Sequence, residues 1–92
     1  MMHLSSKDGA LVALPLMRAL TRADVRWGCF ITNDGVQLLD NRDVIDALNG
    51  ATHAAVCEHS WDKAGNGDCP IEKGSQTTNS LMMTEAARVV SL

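Results

Sequence analysis

Residues 53–69, HAAVCEHSWDKAGNGDC, hold two of the three cysteines, two of the three histidines and one of the two tryptophans of the chain. Read as a strand over 51–59, this stretch puts His53, Ala55, Cys57 and His59 on one face and Ala54, Val56 and Glu58 on the other. After Trp61 comes a run of turn formers, Asp62 to Asp68, that can fold back and carry Cys69 to the strand. Thiolate and imidazole are preferred zinc ligands, and four of them in a tetrahedron make a structural site. His53, Cys57, His59 and Cys69 are therefore candidate metal ligands, although their spacing matches no common finger pattern.

Two other readings of the same residues stand beside this one. A Cys57–Cys69 disulfide would close a loop of about a dozen residues and contribute on the order of 3 kcal/mol. Alternatively, Cys57 is a small buried hydrophobe and Cys69 a loop thiol, since free cysteine is often buried for packing alone. A nucleophilic Cys57–His59 pair also needs an orienting group and oxyanion donors. The sequence shows neither, so it assigns no catalytic residue.

Ninety-two residues suffice for one compact domain, spanning 1–92. An apolar fraction of 46% and a charged fraction of 21% are those of a globular chain. Trp27, Phe30 and Trp61 are the only large aromatics, so the core must be built from Leu, Val, Ile, Met and Ala. The net charge is −3 and the basic residues are scattered, with only Arg18, Arg22 and Arg26 regularly spaced. That argues against nucleic acid, which calls for a concentrated basic patch. No apolar run reaches the 18 or so residues of a membrane span. The short run Ala10–Leu14 lacks the flanks of a secretory signal, and an odd cysteine count without one points to a reducing, cytoplasmic location.

The elements that must position these residues follow from pattern and punctuation. Met1–Gly9 is a polar start, frayed or a short edge strand. Ala10–Leu14 reads as extended, because Pro15 disfavours helix in the residue before it and suits a helix start. A helix over 15–23 would bury Leu16, Met17 and Leu20. Residues 24–32 alternate as a strand, with Gly28 marking a bulge or a close approach. Asn33-Asp34-Gly35 then predicts a tight turn, and Val36–Leu39 the return strand of a 25–39 hairpin. A helix over 41–49, capped by Asp40 or Asn41, carries Val44, Ile45 and Leu48 on one stripe. The 51–59 strand follows, then a long irregular loop at about 60–79, then a helix over 81–90. The fold class expected is α+β: a small, mainly antiparallel sheet of three or four strands, including the 25–39 hairpin, with two or three short helices on one face.

No phosphate-binding glycine loop and no carboxylate pair at catalytic spacing is present. The function expected is a small non-enzymatic protein-binding module. By analogy of size and charge, it would be of the kind that phages and mobile elements use to inhibit a host complex such as a bacterial immune system. Its partner surface would be the 60–79 loop, with Trp61, Asp62, Lys63, Asn66 and Asp68, because tryptophan is favoured at interface hot spots. One alternative is a zinc-stabilised Cys/His adaptor, with zinc as its only cofactor. Another is a small enzyme dependent on Cys57. Exposure of Met82 or Met83 on the last helix would suit a homodimer.

Overall fold

Strand and helix alternate along the chain. The computed structural model describes residues 1–92. In order they form β1 (Met2–Leu4), α1 (Ala10–Arg22), β2 (Gly28–Ile31), a 3-10 segment (Asn33–Asp40), α2 (Arg42–Leu48), β3 (His53–Cys57), α3 (Glu58–Ala64), β4 (Glu72–Gly74), α4 (Gln76–Glu85) and β5 (Val90–Ser91). The five strands make one sheet in the order β4-β3-β2-β1-β5. Every pairing is parallel, with Cys29 opposite both Met2 and Ala54, and Cys57 opposite Gly74.

This topology sets the layers. From β1 to β4 each connection steps to the next strand in the same direction, and the right-handed preference of such crossovers keeps α1, α2 and α3 on one face. The β4–β5 connection runs back across the sheet, and the same handedness places α4 on the other face. Side-chain alternation agrees. Met2, Leu4, Cys29, Ile31 and Val56 pack with Ala13 and Met17 of α1, Val44 and Leu48 of α2, and Trp61 of α3. Phe30, Ala55 and Cys57 pack with Met82 of α4 in a second, smaller cluster. Gly28 is the close approach on this side: a Cβ there would lie 3.2 Å from Met82 Cε.

The expected antiparallel sheet and its 25–39 hairpin are overturned by this register. Asn33 does adopt the left-handed turn conformation, with φ 51°. The chain then coils into the 3-10 segment, which buries Val36, Leu38 and Leu39 in the larger core. The turn is pinned to the end of β1: the Thr32 N–H donates to the Leu4 carbonyl at 2.9 Å. A Cβ on Gly35 would lie 2.9 Å from that carbonyl carbon, so glycine admits a close approach there and not a hairpin. β1 itself lies inside the sheet, between β2 and β5. The helices are not confined to one face either, because α4 covers the other.

Three boundaries also differ from expectation. Residues 10–14 are the front of α1, which continues through Pro15. The carbonyl that Pro15 leaves without its N–H partner belongs to Leu11, whose residue is 87% exposed, so water reaches it. The stretch 60–79 contains most of α3, all of β4 and the start of α4, which leaves 65–71 irregular. The last helix begins at Gln76 because Ser75 caps it: Ser75 Oγ accepts the Thr78 N–H at 3.3 Å, and Thr78 Oγ1 accepts the Ser75 N–H at 3.2 Å. No helix is long and apolar enough to cross a membrane.

Candidate functional site

Cys57 is the last residue of β3 and the residue that caps α3. It therefore sits outside the C-terminal ends of parallel strands, where ligand sites of open parallel sheets are found. The first-turn amides of a helix have no intrahelical acceptor. In α3 those of His59 and Ser60 make no cap hydrogen bond with the Cys57 side chain, but their N–H dipoles lie close enough to favour its charged form. The Ser60 and Thr32 hydroxyls act on the same sulfur in the same sense. Across the layer, Gln76 Nε2 of α4 reaches Cys57 Sγ at 3.8 Å. Ser60 is itself held: its Oγ accepts the Asn33 N–H at 2.9 Å and lies 3.2 Å from Thr32 Oγ1. Residue 57 is only 4% exposed. Burial pushes its thiol up, but the polar groups of Ser60, His59 and Thr32 together hold it below the ordinary thiol value.

The other two thiols are different. Cys29, on β2, faces the larger core, where burial pushes it up to about 12 against a small opposing pull from the terminal amine. Cys69 is half-buried against the same core and donates its S–H to the Ile71 carbonyl at 3.2 Å. All three cysteines are free. Cys57 is the one that faces α4.

The four candidate metal ligands are thus not brought together. His53 Nε2 is 2.8 Å from Glu72 Oε2, at the β3–β4 edge. The strand ends at Cys57, so His59 leaves the alternation and stands out on α3 with its side chain 87% exposed, 4.0 Å from Glu58. Cys57 and Cys69 pack on opposite sides of the sheet. No group of three or more His, Cys, Asp or Glu is placed to hold a metal ion. The geometry likewise supplies neither the Cys57–Cys69 bridge nor a Cys57–His59 pair.

Of the candidate partner residues, Trp61 is 6% exposed and belongs to the larger core. Asp62 lies 3.5 Å from Lys73 Nζ, and Lys63, Asn66 and Asp68 are exposed beside it. Thr32, Ser60 and Gln76 were not singled out from the sequence. For Ser60 a signal existed: Cys57-x-x-Ser60 has the spacing of a helix cap and its third helical residue. For Thr32 and Gln76 there was none, since only the tertiary fold brings them to Cys57.

A cavity of about 610 Å³ forms an open apolar groove at the other end of the sheet, lined by Leu16, Leu20, Trp27, Gly28 and Met82 among others. It surrounds the N-terminal ends of β2 and β3 and does not include Cys57. Compared with protein-family models, curated proteins and solved structures, the chain has no match.

Proposed function

We propose that the protein is a small protein-binding carrier whose Cys57 thiolate takes up a sulfur-bound group from a partner protein and passes it on. One observation carries this reading: Cys57 is a buried thiol held below its ordinary value, hydrogen-bonded by Gln76, with no His, Asp or Glu side chain among its partners and no second thiol in its cluster. His53, four residues back along β3, is about 13 Å away at strand spacing, and it is occupied by Glu72. Hydrolysis through a thioester needs a base to activate water, and this site offers none. Intramolecular disulfide chemistry needs a resolving thiol, and Cys29 and Cys69 both pack on the opposite side of the sheet. What remains is chemistry that a thiolate performs alone.

Transfer of a sulfane sulfur fits these limits. The Cys57 thiolate attacks the outer sulfur of a partner's cysteine persulfide. The new bond joins Cys57 Sγ to that sulfur, the partner's S–S bond breaks, and its electron pair leaves on the partner's thiolate. No external oxidant or reductant is required, and the cargo is one atom, suited to a residue this buried. The partner-binding character expected from size and charge is retained. The exposed surface around Lys63, Asn66 and Asp68 borders the same helix, α3.

The test is exposure to inorganic polysulfide followed by intact and peptide mass measurement. The expected result is a gain of one sulfur atom at Cys57, removed by reductant, and no such gain in a folded Cys57→Ser variant. Equal loading of the Cys57→Ser variant, or none in the native protein, would sink the reading.

A further inference from the structure

We infer that the open groove at the N-terminal ends of β2 and β3 is a binding site for a linear apolar chain ending in a single carboxylate. Cys57 lies at the other end of the sheet, so this site stands apart from the carrier chemistry.

The walls supply the apolar half of the fit. α1 contributes Leu16 and Leu20, α4 contributes Met82, and Trp27 lies between them in sequence. The Trp27 indole N–H donates to Thr21 Oγ1 at 3.1 Å, so the ring brings no unsatisfied donor to the groove. Val25 and Val90 are on the same lining and are 48% and 41% exposed. Neither belongs to a core cluster, so this apolar surface has no cover within the chain. The volume of about 610 Å³ falls within the roughly 300–1,000 Å³ of small-molecule sites.

Charge supplies the other half. The chain has a net charge of −3, yet the Arg, Lys, Asp and Glu side chains on the groove are Arg26, Arg88 and Glu85. His53 is also there, engaged by Glu72 at 2.8 Å. Arg18 and Arg42 pair with Asp43 and Asp46, whereas neither Arg26 nor Arg88 makes an ion pair, even with Glu85. Two guanidinium groups without an internal partner, set on an apolar groove, complement an amphiphilic anion. Each offers the planar fork that fits a carboxylate. Glu85 on the same lining repels a second negative charge, which favours a monoanionic carboxylate over a doubly charged phosphate head.

The test is titration calorimetry of the full chain with hexanoate, octanoate and decanoate, with octanol as the uncharged control. Affinity should rise about fourfold per added methylene. Octanol should bind about tenfold more weakly than octanoate. Arg26→Gln and Arg88→Gln should each weaken octanoate about tenfold and leave octanol unchanged, whereas Glu85→Gln should tighten octanoate. All three residues are exposed, and circular dichroism checks that the variants keep the fold. An absence of binding by all three acids would overturn the site. Octanol binding as tightly as octanoate, or octanoate indifferent to both arginine substitutions, would overturn the recognition of a carboxylate. Sedimentation showing a native dimer that Val25→Asp splits into monomers would also overturn it, because the groove would then belong to a second copy of the chain.

Discussion

Cys29 and Cys57 lie on adjacent strands, yet their thiols face opposite sides of the sheet and respond to pH in opposite senses. An unfolded Cys29 thiol ionises near 9, whereas the folded one stays protonated to about 12. Between those values the unfolded chain binds fewer protons, so stability falls as pH rises, by about 1.4 kcal/mol per unit. Below the lower value the contribution of Cys29 is fully present. Cys57, with its value lowered, contributes in the other sense: its stabilisation is present above the unfolded value and is lost as pH falls through the folded one. Urea unfolding at pH 9 and 10 should therefore show a decline in the native protein that is about 1 kcal/mol shallower in Cys29→Ala, since the unfolded thiol is only half ionised at the start of that interval. At this scale the sequence was partly legible. The period-two pattern of β3 placed His53, Ala55 and Cys57 on one face, as found. It failed at His59, because pattern alone does not reveal that the chain turns helical at Glu58. Thr32 could not be paired with Ser60, since 28 residues separate them.

Among the elements, α4 is the least well anchored. Met82 is its one buried residue. Asn79, one turn before Met82, has its Oδ1 buried with no hydrogen-bond partner. A buried acceptor left unpaired costs roughly 1–3 kcal/mol, and asparagine is a weaker helix former than leucine. Asn79→Leu should accordingly stabilise the fold by about 1 kcal/mol, raising Tm by roughly 4–8 °C for a chain of this size. A thermal melt decides it; a lowered Tm would mean that the amide is satisfied by solvent. The start of α4 was misplaced from sequence because Asn79 and Ser80 look like caps, while the capping box at Ser75 lies inside a polar run that resembles a loop. Pro15 misled in a similar way. It is a sound helix-start signal, but an exposed carbonyl one turn earlier lets α1 run through it. The helix over 41–49 was legible, with Asn41 accepting the Asp43 N–H at 2.9 Å as a cap should.

For the whole molecule, the mixture of strands and helices could be read locally, but their relative direction could not. Short strands separated by short helices satisfy parallel and antiparallel pairing alike until long-range partners are known. β1 shows why. Met2-His3-Leu4 is too brief to announce itself, yet it carries two fully buried side chains between β2 and β5. At the β5 edge the Val90 and Leu92 N–H groups donate to the Met1 and His3 carbonyls at 2.9 and 2.8 Å. By strand alternation, the Ser91 N–H turns away from the sheet. Leu92→Pro should therefore cost about 1–2 kcal/mol in chemical denaturation, through a lost ladder bond, whereas Ser91→Pro should be nearly neutral. Equal losses would contradict the parallel β1–β5 register. The crossover that carries the chain from β4 back to β5 also has a consequence for biosynthesis. The layer with α1, α2 and α3 can assemble as soon as β1–β4 have left the ribosome, but α4 and β5 follow everything they pack on. During elongation at roughly 5–20 residues per second, the face bearing Phe30, Ala55 and Cys57 is uncovered in a nascent chain whose other face is already built. Cys57 thus passes through an interval of open access before α4 closes over it.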